Sequence, residues 1–478
     1  MKKLAVLFLS AMLLLGGCTT QEKKTSAFKA GTYSATAEGR NGELTVEVVL
    51  SADKIESVAV TSHQETEGIA DPAIEKIPSA IVEAQGLGID AVSGCTITSE
   101  AILAAASSAL ASAGADVEAL KEIHLSAAAG EDTEETVDVV VVGGGGAGIA
   151  AASSAAEQGA SVILVEKTSA LGGNTLASGF AMNAADPELE NQLDALNGQV
   201  ETLKAVLDYD ESEFGDYADT LKTLKTQINE YLKGDTSKEF DSVEWHIIQT
   251  YQAGKRVDLS GEEISGDFDL VQLLCEKSLE TFHWLGDTVG VALSDELSSP
   301  VGSLWLRGHN FESKEGVFTS AQQYIEAHNG KIYLATRATD LILDGDAVTG
   351  VICRKEDGST LTIHAKNVIL ATGGFGANGE MVKEYNTYWP AIPEGIKTTN
   401  VAGATGDGIE LGLQAKASLT GMGMVQLMPT ASAVTGQLAD GLLVPSQYYM
   451  FVNQEGNRFV NEYAERDVLA SAALSQTD

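Results

Sequence analysis

Cysteine is scarce in this 478-residue chain: only Cys18, Cys95, Cys275 and Cys353 are present, and no two of them make a CxxC or CxxCH spacing. A disulfide framework, a covalent haem and a thiolate-held zinc or iron–sulfur centre are therefore not expected. Cys275 falls in an apolar helical pattern and Cys353 in a strand pattern, where cysteine acts as a small hydrophobe. The histidines His124, His246, His283 and His364 have no neighbouring ligand set, so no metal site is expected. Basic residues are few as well, 30 Lys and Arg against 68 Asp and Glu, for a formal net charge of −38. Such a surface excludes nucleic acid and anionic membrane as binding partners and admits small anions only where a few basic side chains gather in a cleft.

The longest apolar run near the N-terminus, Leu4 to Leu15, is too short to span a bilayer. Preceded by Met1-Lys2-Lys3 and followed by Gly16-Gly17-Cys18, it reads as an export signal. Beyond it, residues 18–26 form a polar tether. From Ala27 the pattern turns to strands, with Leu44, Val46, Val48 and Leu50 alternating with polar residues, then to an alanine-rich helix from Ser99. This predicts a small α+β domain over 27–126, an acidic linker over 127–136 and an α/β domain over 137–478. Within the last, leucines stepping by four and three predict an antiparallel helical hairpin over 187–232. It reads as an insertion packed on the body, with no chemical role of its own. Asp344-Gly345 and Asp357-Gly358 mark hairpin turns of a β-meander.

The most informative stretch is Val139-Val140-Val141-Val142-Gly143-Gly144-Gly145-Gly146-Ala147-Gly148. A buried parallel strand ends in a glycine turn that opens a helix, and Gly143, Gly145 and Gly148 hold the positions where a side chain would block a pyrophosphate or the helix–strand contact. Bare amides at the helix N-terminus face the phosphates. Glu166 closes the next strand, Val162 to Val165, at the place where a carboxylate accepts from an adenosine ribose. Asn367 to Gly374 reads as a further strand ending in a glycine pair, returning to the same cofactor.

Several stretches resemble known families. Leu15-Gly16-Gly17-Cys18 resembles a bacterial lipobox, which implies removal of residues 1–17 and a lipid on Cys18, hence an exported protein anchored to the membrane and facing outside the cytoplasm. Gly31-Thr32-Tyr33, the run His63 to Gly68 and the run Asp90 to Ser99 resemble the FMN-binding domain of flavinylated electron-transfer proteins. The resemblance implies FMN esterified by a flavin transferase to Thr96, with Thr98 the fallback acceptor and His63, Glu65 and Thr66 beside the flavin. Cys95 stands where that family has alanine.

The remainder resembles the soluble fumarate reductase flavoproteins, with urocanate reductase and related enoate reductases. The matching residues are Gly143 to Gly148, Glu166-Lys167, Gly172-Gly173-Asn174-Thr175, Met182-Asn183-Ala184, Arg307-Gly308-His309, Ala371-Thr372-Gly373-Gly374, Gly403 to Gly408 and the segment from Gly456 through Arg466-Asp467. The resemblance implies a Rossmann-like domain holding FAD non-covalently, Gly406 and Asp407 included, with an inserted capping region beginning near 456–478. Arg466 would donate a proton to a small unsaturated carboxylate.

Two departures concern that substrate. Met428 replaces a histidine before Pro429-Thr430, and Gly441 to Gln447 lacks the family's acidic and basic proton relay, leaving Tyr448 or Tyr449 as substitutes. Both favour a monocarboxylate over fumarate. The family's further helical cap, second histidine and arginine and last glycine-rich segment have no counterpart before Asp478, so a truncated product of low activity is expected. The leading reading is a reductase fed by a membrane or extracellular donor through FMN. A dehydrogenase running the opposite way and a non-catalytic flavin shuttle remain open.

Overall fold

The computed structural model describes residues 28–124, 130–299, 305–432, 434, 436–438, 449–462 and 464–477. The leader, Cys18, the tether and the 441–447 segment lie outside the described residues. No helix among them is long and apolar enough to cross a membrane.

In the N-terminal domain the predicted alternation becomes an antiparallel sheet of β1 (Gly31–Glu38), β2 (Glu43–Leu50) and β3 (Ile55–Ser62). One face of β2 buries Leu44, Val46, Val48 and Leu50 under α1 (Asp71–Ala84) and α2 (Thr96–Ser112). Ala101, Ala105, Ala106 and Ala109 line the buried face of α2, and their small side chains let the helix lie close to the sheet. The larger buried residues, Ile77, Ile81, Ile102 and Leu110, each contribute about 1.5–3 kcal/mol of apolar burial.

The second domain is built on a six-stranded sheet. Its strands are β4 (Thr133–Val142), β5 (Val162–Val165), β6 (Lys331–Tyr333), β7 (Thr336–Asp344), β8 (Ala347–Lys355) and β9 (Thr360–Leu370), arranged in the order β6-β5-β4-β9-β8-β7. The first four neighbours run parallel and the meander β9-β8-β7 is antiparallel. Between β4 and β5 stands α3 (Gly146–Glu157), which with the helix Lys314–Ala327 covers one face of the sheet. Residues 133–136, expected in the linker, are strand instead. Thr133 to Thr136 pair in register with Leu361 to His364 of the long β9, so ladder hydrogen bonds override the turn-favouring acidic composition.

The helical hairpin also departs from expectation. Its first arm is broken: a single turn at Pro187–Glu190 is followed by irregular chain, and α4 begins only at Gln199 (Gln199–Leu207). Ala195 N donates to the Ser237 carbonyl at 2.9 Å and Glu239 N to that of Leu193 at 3.1 Å, so this stretch pairs with 237–239 instead, and Gly198 takes φ +78°, a left-handed conformation that stops the leucine periodicity from continuing as helix. The second arm, α5 (Ala218–Tyr231), is intact. It buries Leu221, Leu224 and Ile228 with Leu203 and Val206 of α4 against α6 (Val243–Gly254).

One of the closest approaches in this domain is between backbone atoms. A Cβ built on Gly148 would stand 1.8 Å from the Gly143 carbonyl oxygen. Gly148→Ala is therefore expected to cost about 1–3 kcal/mol or more in denaturant unfolding, as overpacked sites do. An unchanged midpoint would show that the turn can relax.

Candidate active site

At the C-terminal ends of β4, β5 and β9 lies a cleft of about 560 Å³, where parallel sheets of this kind bind ligands. It is lined by Gly143, Gly145, Glu166, Lys167, Gly173, Asn174, Thr175, Ala371, Thr372, Gly373, Gly374 and Asp407, all singled out from the sequence as cofactor residues. Cβ atoms built on Gly173, Gly373 and Gly374 meet nothing within 4 Å. The backbone there is bare toward the cleft, as close approach of a dinucleotide requires, so the residues fit FAD.

Three assigned glycines stand behind the cradle rather than in it. Gly148 packs on Gly143, Gly172 (φ +123°) lies against Leu176, and Gly406 (φ +86°) precedes the helix Asp407–Gln414 with its α-carbon against Met381. Glu166 faces the cleft while its carboxylate already accepts from Gly144 N at 2.7 Å and from Thr168 N and Oγ1 at 2.8 Å. A carboxylate offers about four acceptor sites, leaving capacity for a ribose.

Lys167 and Arg337 are the cations of the cleft wall, and both bind Asp407, at 3.0 and 2.9 Å. Burial opposes ionisation of Asp407, but the Thr405 hydroxyl, Lys167 and Arg337 outweigh it and hold the carboxyl below its ordinary value. Arg337 was not found from the sequence, because no motif marks it. Its signal is topological: it follows β6, a parallel strand ending on the same cleft.

A second, smaller crevice contains Arg40, Glu65, Thr66, Gly94, Cys95, Thr96 and Thr98 from the N-terminal domain and Val401 and Ala402 from the other. The two threonines differ. Thr96 is exposed on the first turn of α2, whereas Thr98 is buried and donates to Glu65 Oε2. Glu65 also accepts from Asn41 N at 3.0 Å, and Thr66 accepts from Asn41 Nδ2 at 2.8 Å. Cys95 turns into the core and donates to the Ile69 carbonyl, and burial raises its thiol pKa. His63 is exposed and is not among the crevice walls. An exposed hydroxyl at a helix N-terminus, on a turn of Ser93-Gly94, suits a flavin phosphodiester.

Beside the large cleft lies another of about 540 Å³, walled by Met428, Gln426, Lys383, Lys397 and, from the helix Arg466–Leu474, Ala470 and Leu474. The two clefts approach each other in the chain at Gly374 and Gly376. Arg466 is half-buried at the first position of that helix, and burial lowers its pKa. Its neighbour Asp467 accepts from Arg256 Nε at 2.5 Å, from Arg256 Nη2 at 3.0 Å and from Tyr388 at 2.6 Å. Burial would raise Asp467, yet Arg256 and Tyr388 bring it to about 2. Glu462, an i−4 partner available to Arg466, pairs instead with Arg458 at 2.5 Å.

With this geometry in view, the chain can be set against known proteins. A family model described as FAD binding domain matches residues 138–478, and one described as FMN-binding domain matches residues 39–111. The chain belongs to the FAD binding domain family. FAD and FMN are accordingly its cofactors, with the large cleft in the matched FAD-binding part. The chain is 46% identical over 455 residues to the NADH:acrylate oxidoreductase of Vibrio harveyi, covering 93% of this chain and 45% of that protein. It is 32% identical over 487 residues to the urocanate reductase of Eggerthella lenta, covering 99% and 71%. It thus spans less than half the length of the first of these relatives. Among solved structures, the 3-ketosteroid-delta4-(5alpha)-dehydrogenase of Rhodococcus jostii RHA1 superposes with a TM-score of 0.50 at 20% identity, over 72% of this chain and 65% of that one, a likeness of fold alone.

One cluster escaped sequence reading. Arg307 donates to Asp241 at 2.8 and 2.6 Å with both side chains buried, and Glu190 and Glu239 are buried beside them. Burial, then the Asp241 charge, pushes Glu190 up to about 10 and Glu239 up to about 7. Burial and Arg307 push His246 down to about 3. Because the folded Glu239 keeps a proton that the unfolded chain releases near pH 4.3, its contribution to stability declines as pH rises from there through about 7. Glu239→Gln is expected to stabilise the fold by about 2–3 kcal/mol at pH 9 and by little at pH 4. Thermal unfolding at the two pH values measures this, and equal shifts at both would contradict it.

Proposed function

We propose that the chain is the flavin-bearing part of a reductase of α,β-unsaturated carboxylates, with FMN on Thr96 relaying electrons to FAD. The observation that carries the reading is the approach of the two clefts at Gly374 and Gly376, which brings a cofactor cradle next to a space walled by Met428 and the Arg466 helix. Bound FAD supplies hydride to the β-carbon of an activated alkene.

The α-carbon then needs a proton, and Arg466 is the donor. A guanidinium is a poor acid in water. Burial that lowers its pKa makes Arg466 a better one; before the transfer its charge screens the substrate carboxylate, and afterwards the neutral guanidine takes a proton back from solvent. Arg256 and Tyr388 hold Asp467 and thereby fix the start of the helix that carries it. Lys383 and Lys397 give the cleft cationic walls in an otherwise acidic protein.

Met428 offers a soft, apolar surface where a dicarboxylate would need a hydrogen-bond donor, so the substrate is a monocarboxylate enoate of the acrylate class. Similarity to the Vibrio harveyi acrylate oxidoreductase supports the same choice. Attachment of FMN requires a flavin transferase, and electrons come from a membrane or extracellular donor. The leader supports export and a lipid on Cys18.

Two outcomes are expected from the gene product coexpressed with a flavin transferase. Reduced viologen is oxidised faster with acrylate than with fumarate, urocanate or cinnamate, and Arg466→Ala lowers that rate by about a hundredfold or more with FAD still bound. Silence with all four acids despite bound FMN and FAD would favour a flavin shuttle. Mass spectrometry is expected to find covalent FMN on the wild type and on Thr98→Ala but not on Thr96→Ala. Covalent FMN remaining on Thr96→Ala would move the attachment elsewhere.

A further inference from the structure

Arg40 is a residue that no cofactor motif includes. It sits in the turn between β1 and β2, where Gly39 N donates to the Gly42 carbonyl at 2.8 Å. A Cβ on Gly39 would stand 2.5 Å from Glu65 Oε1, so the turn lies directly on the carboxylate that also holds Asn41 and Thr98. From this turn the guanidinium reaches out of its own domain and donates to the Asn400 carbonyl at 2.8 Å. Burial lowers its pKa and the Glu65 charge partly restores it, as for an arginine drawn into a domain boundary.

The peptide that Arg40 grips is also held from the other side. Asn174, in the wall of the FAD cleft, donates to the Asn400 side chain at 2.6 Å and accepts from Val401 N at 2.8 Å. Val401 borders both the FAD cleft and the crevice containing Thr96. One path, from Glu65 through the 39–42 turn and Arg40 to Asn400 and Asn174, therefore crosses from the FMN domain to the FAD cradle through a segment that both sites share as a wall. Ser93 adds contacts to Lys167 and Ser169 of the other domain, at 3.0 and 3.2 Å. The Lys76–Glu356 pair, at 3.5 Å and half exposed, adds little.

We infer that Arg40 is a positioning residue for electron transfer between the flavins, clamping the FMN domain onto the 400–401 segment so that the crevice beside Thr96 and the FAD cleft stay on one shared wall. The inference rests on the relay reading given above. In the step it serves, two electrons leave reduced FMN, which is oxidised, and enter FAD, which is reduced, while protons exchange with solvent.

The test uses the full chain carrying both flavins, as wild type, Arg40→Ala and Arg40→Lys. After rapid photoreduction of FMN, absorbance follows its reoxidation by FAD. Arg40→Ala is expected to slow that phase about tenfold, the scale of one lost charged hydrogen bond, and Arg40→Lys, which keeps a charged donor group, by less. The FMN and FAD content of each variant is measured alongside, and the rates are compared on molecules holding both flavins. Small-angle scattering of the flavin-free chains is expected to give a larger radius for Arg40→Ala, which decides the matter even where a variant loads FMN poorly. Equal transfer rates, or equal scattering radii, in Arg40→Ala and wild type would overturn the clamp. No transfer in a wild type holding both flavins would overturn the relay itself.

Discussion

A methyl group at position 148 would stand 1.8 Å from the carbonyl oxygen of Gly143, and one at position 143 would stand 2.4 Å from that of Ala371. Three backbones, from the end of β4, the start of α3 and the residue after β9, thus meet with no side chain between them. This approach sets the height of α3 over the sheet and the width of the cleft above it. Ala371 N donates to the Val142 carbonyl at 2.7 Å and Gly143 N to that of Val165 at 2.8 Å, continuing the ladder past the strand ends. The cradle is as rigid as the sheet because it is the end of the sheet.

Charge is arranged against the bulk composition. An acidic surface repels polyanions, while the cations on the walls of the large cleft are few and held. Lys167 and Arg337 are both tied to Asp407, which orients them without the freedom of a surface lysine. Where the helical insertion meets the body the opposite problem arises, with Glu190 of the insertion buried beside Glu239, Asp241 and Arg307 of the chain that follows it. There Arg307 and Asp241 form a two-bond pair, and Glu190 and Glu239 accommodate by holding protons. The insertion is thereby fastened to the body through groups whose protonation depends on burial.

What the sequence made legible was local. The valine run, the glycines and the following acid lie within one βαβ unit, so spacing carried that part of the cleft lining, while Lys167, Gly173, Asn174, Thr175 and Asp407 came from the family resemblance. The same holds for β2, whose alternation marks its buried face. Residues acting at long range were not readable: Arg337 meets Asp407 across 70 positions and Arg307 meets Asp241 across 66. Thr133 to Thr136 looked like linker because the strand that captures them is far along the chain. Thr96 and Thr98 are alike in sequence and are separated only by burial.

The three described cysteines are free, buried and raised in pKa, Cys353 to about 12. Oxidants attack the thiolate, and these side chains hold almost none of it at neutral pH. Reduced flavins in air generate peroxide at their own doorstep, and Cys95 adjoins the residue proposed to carry one. Burial thus keeps these sulfurs as thiols, the form that oxidants attack least.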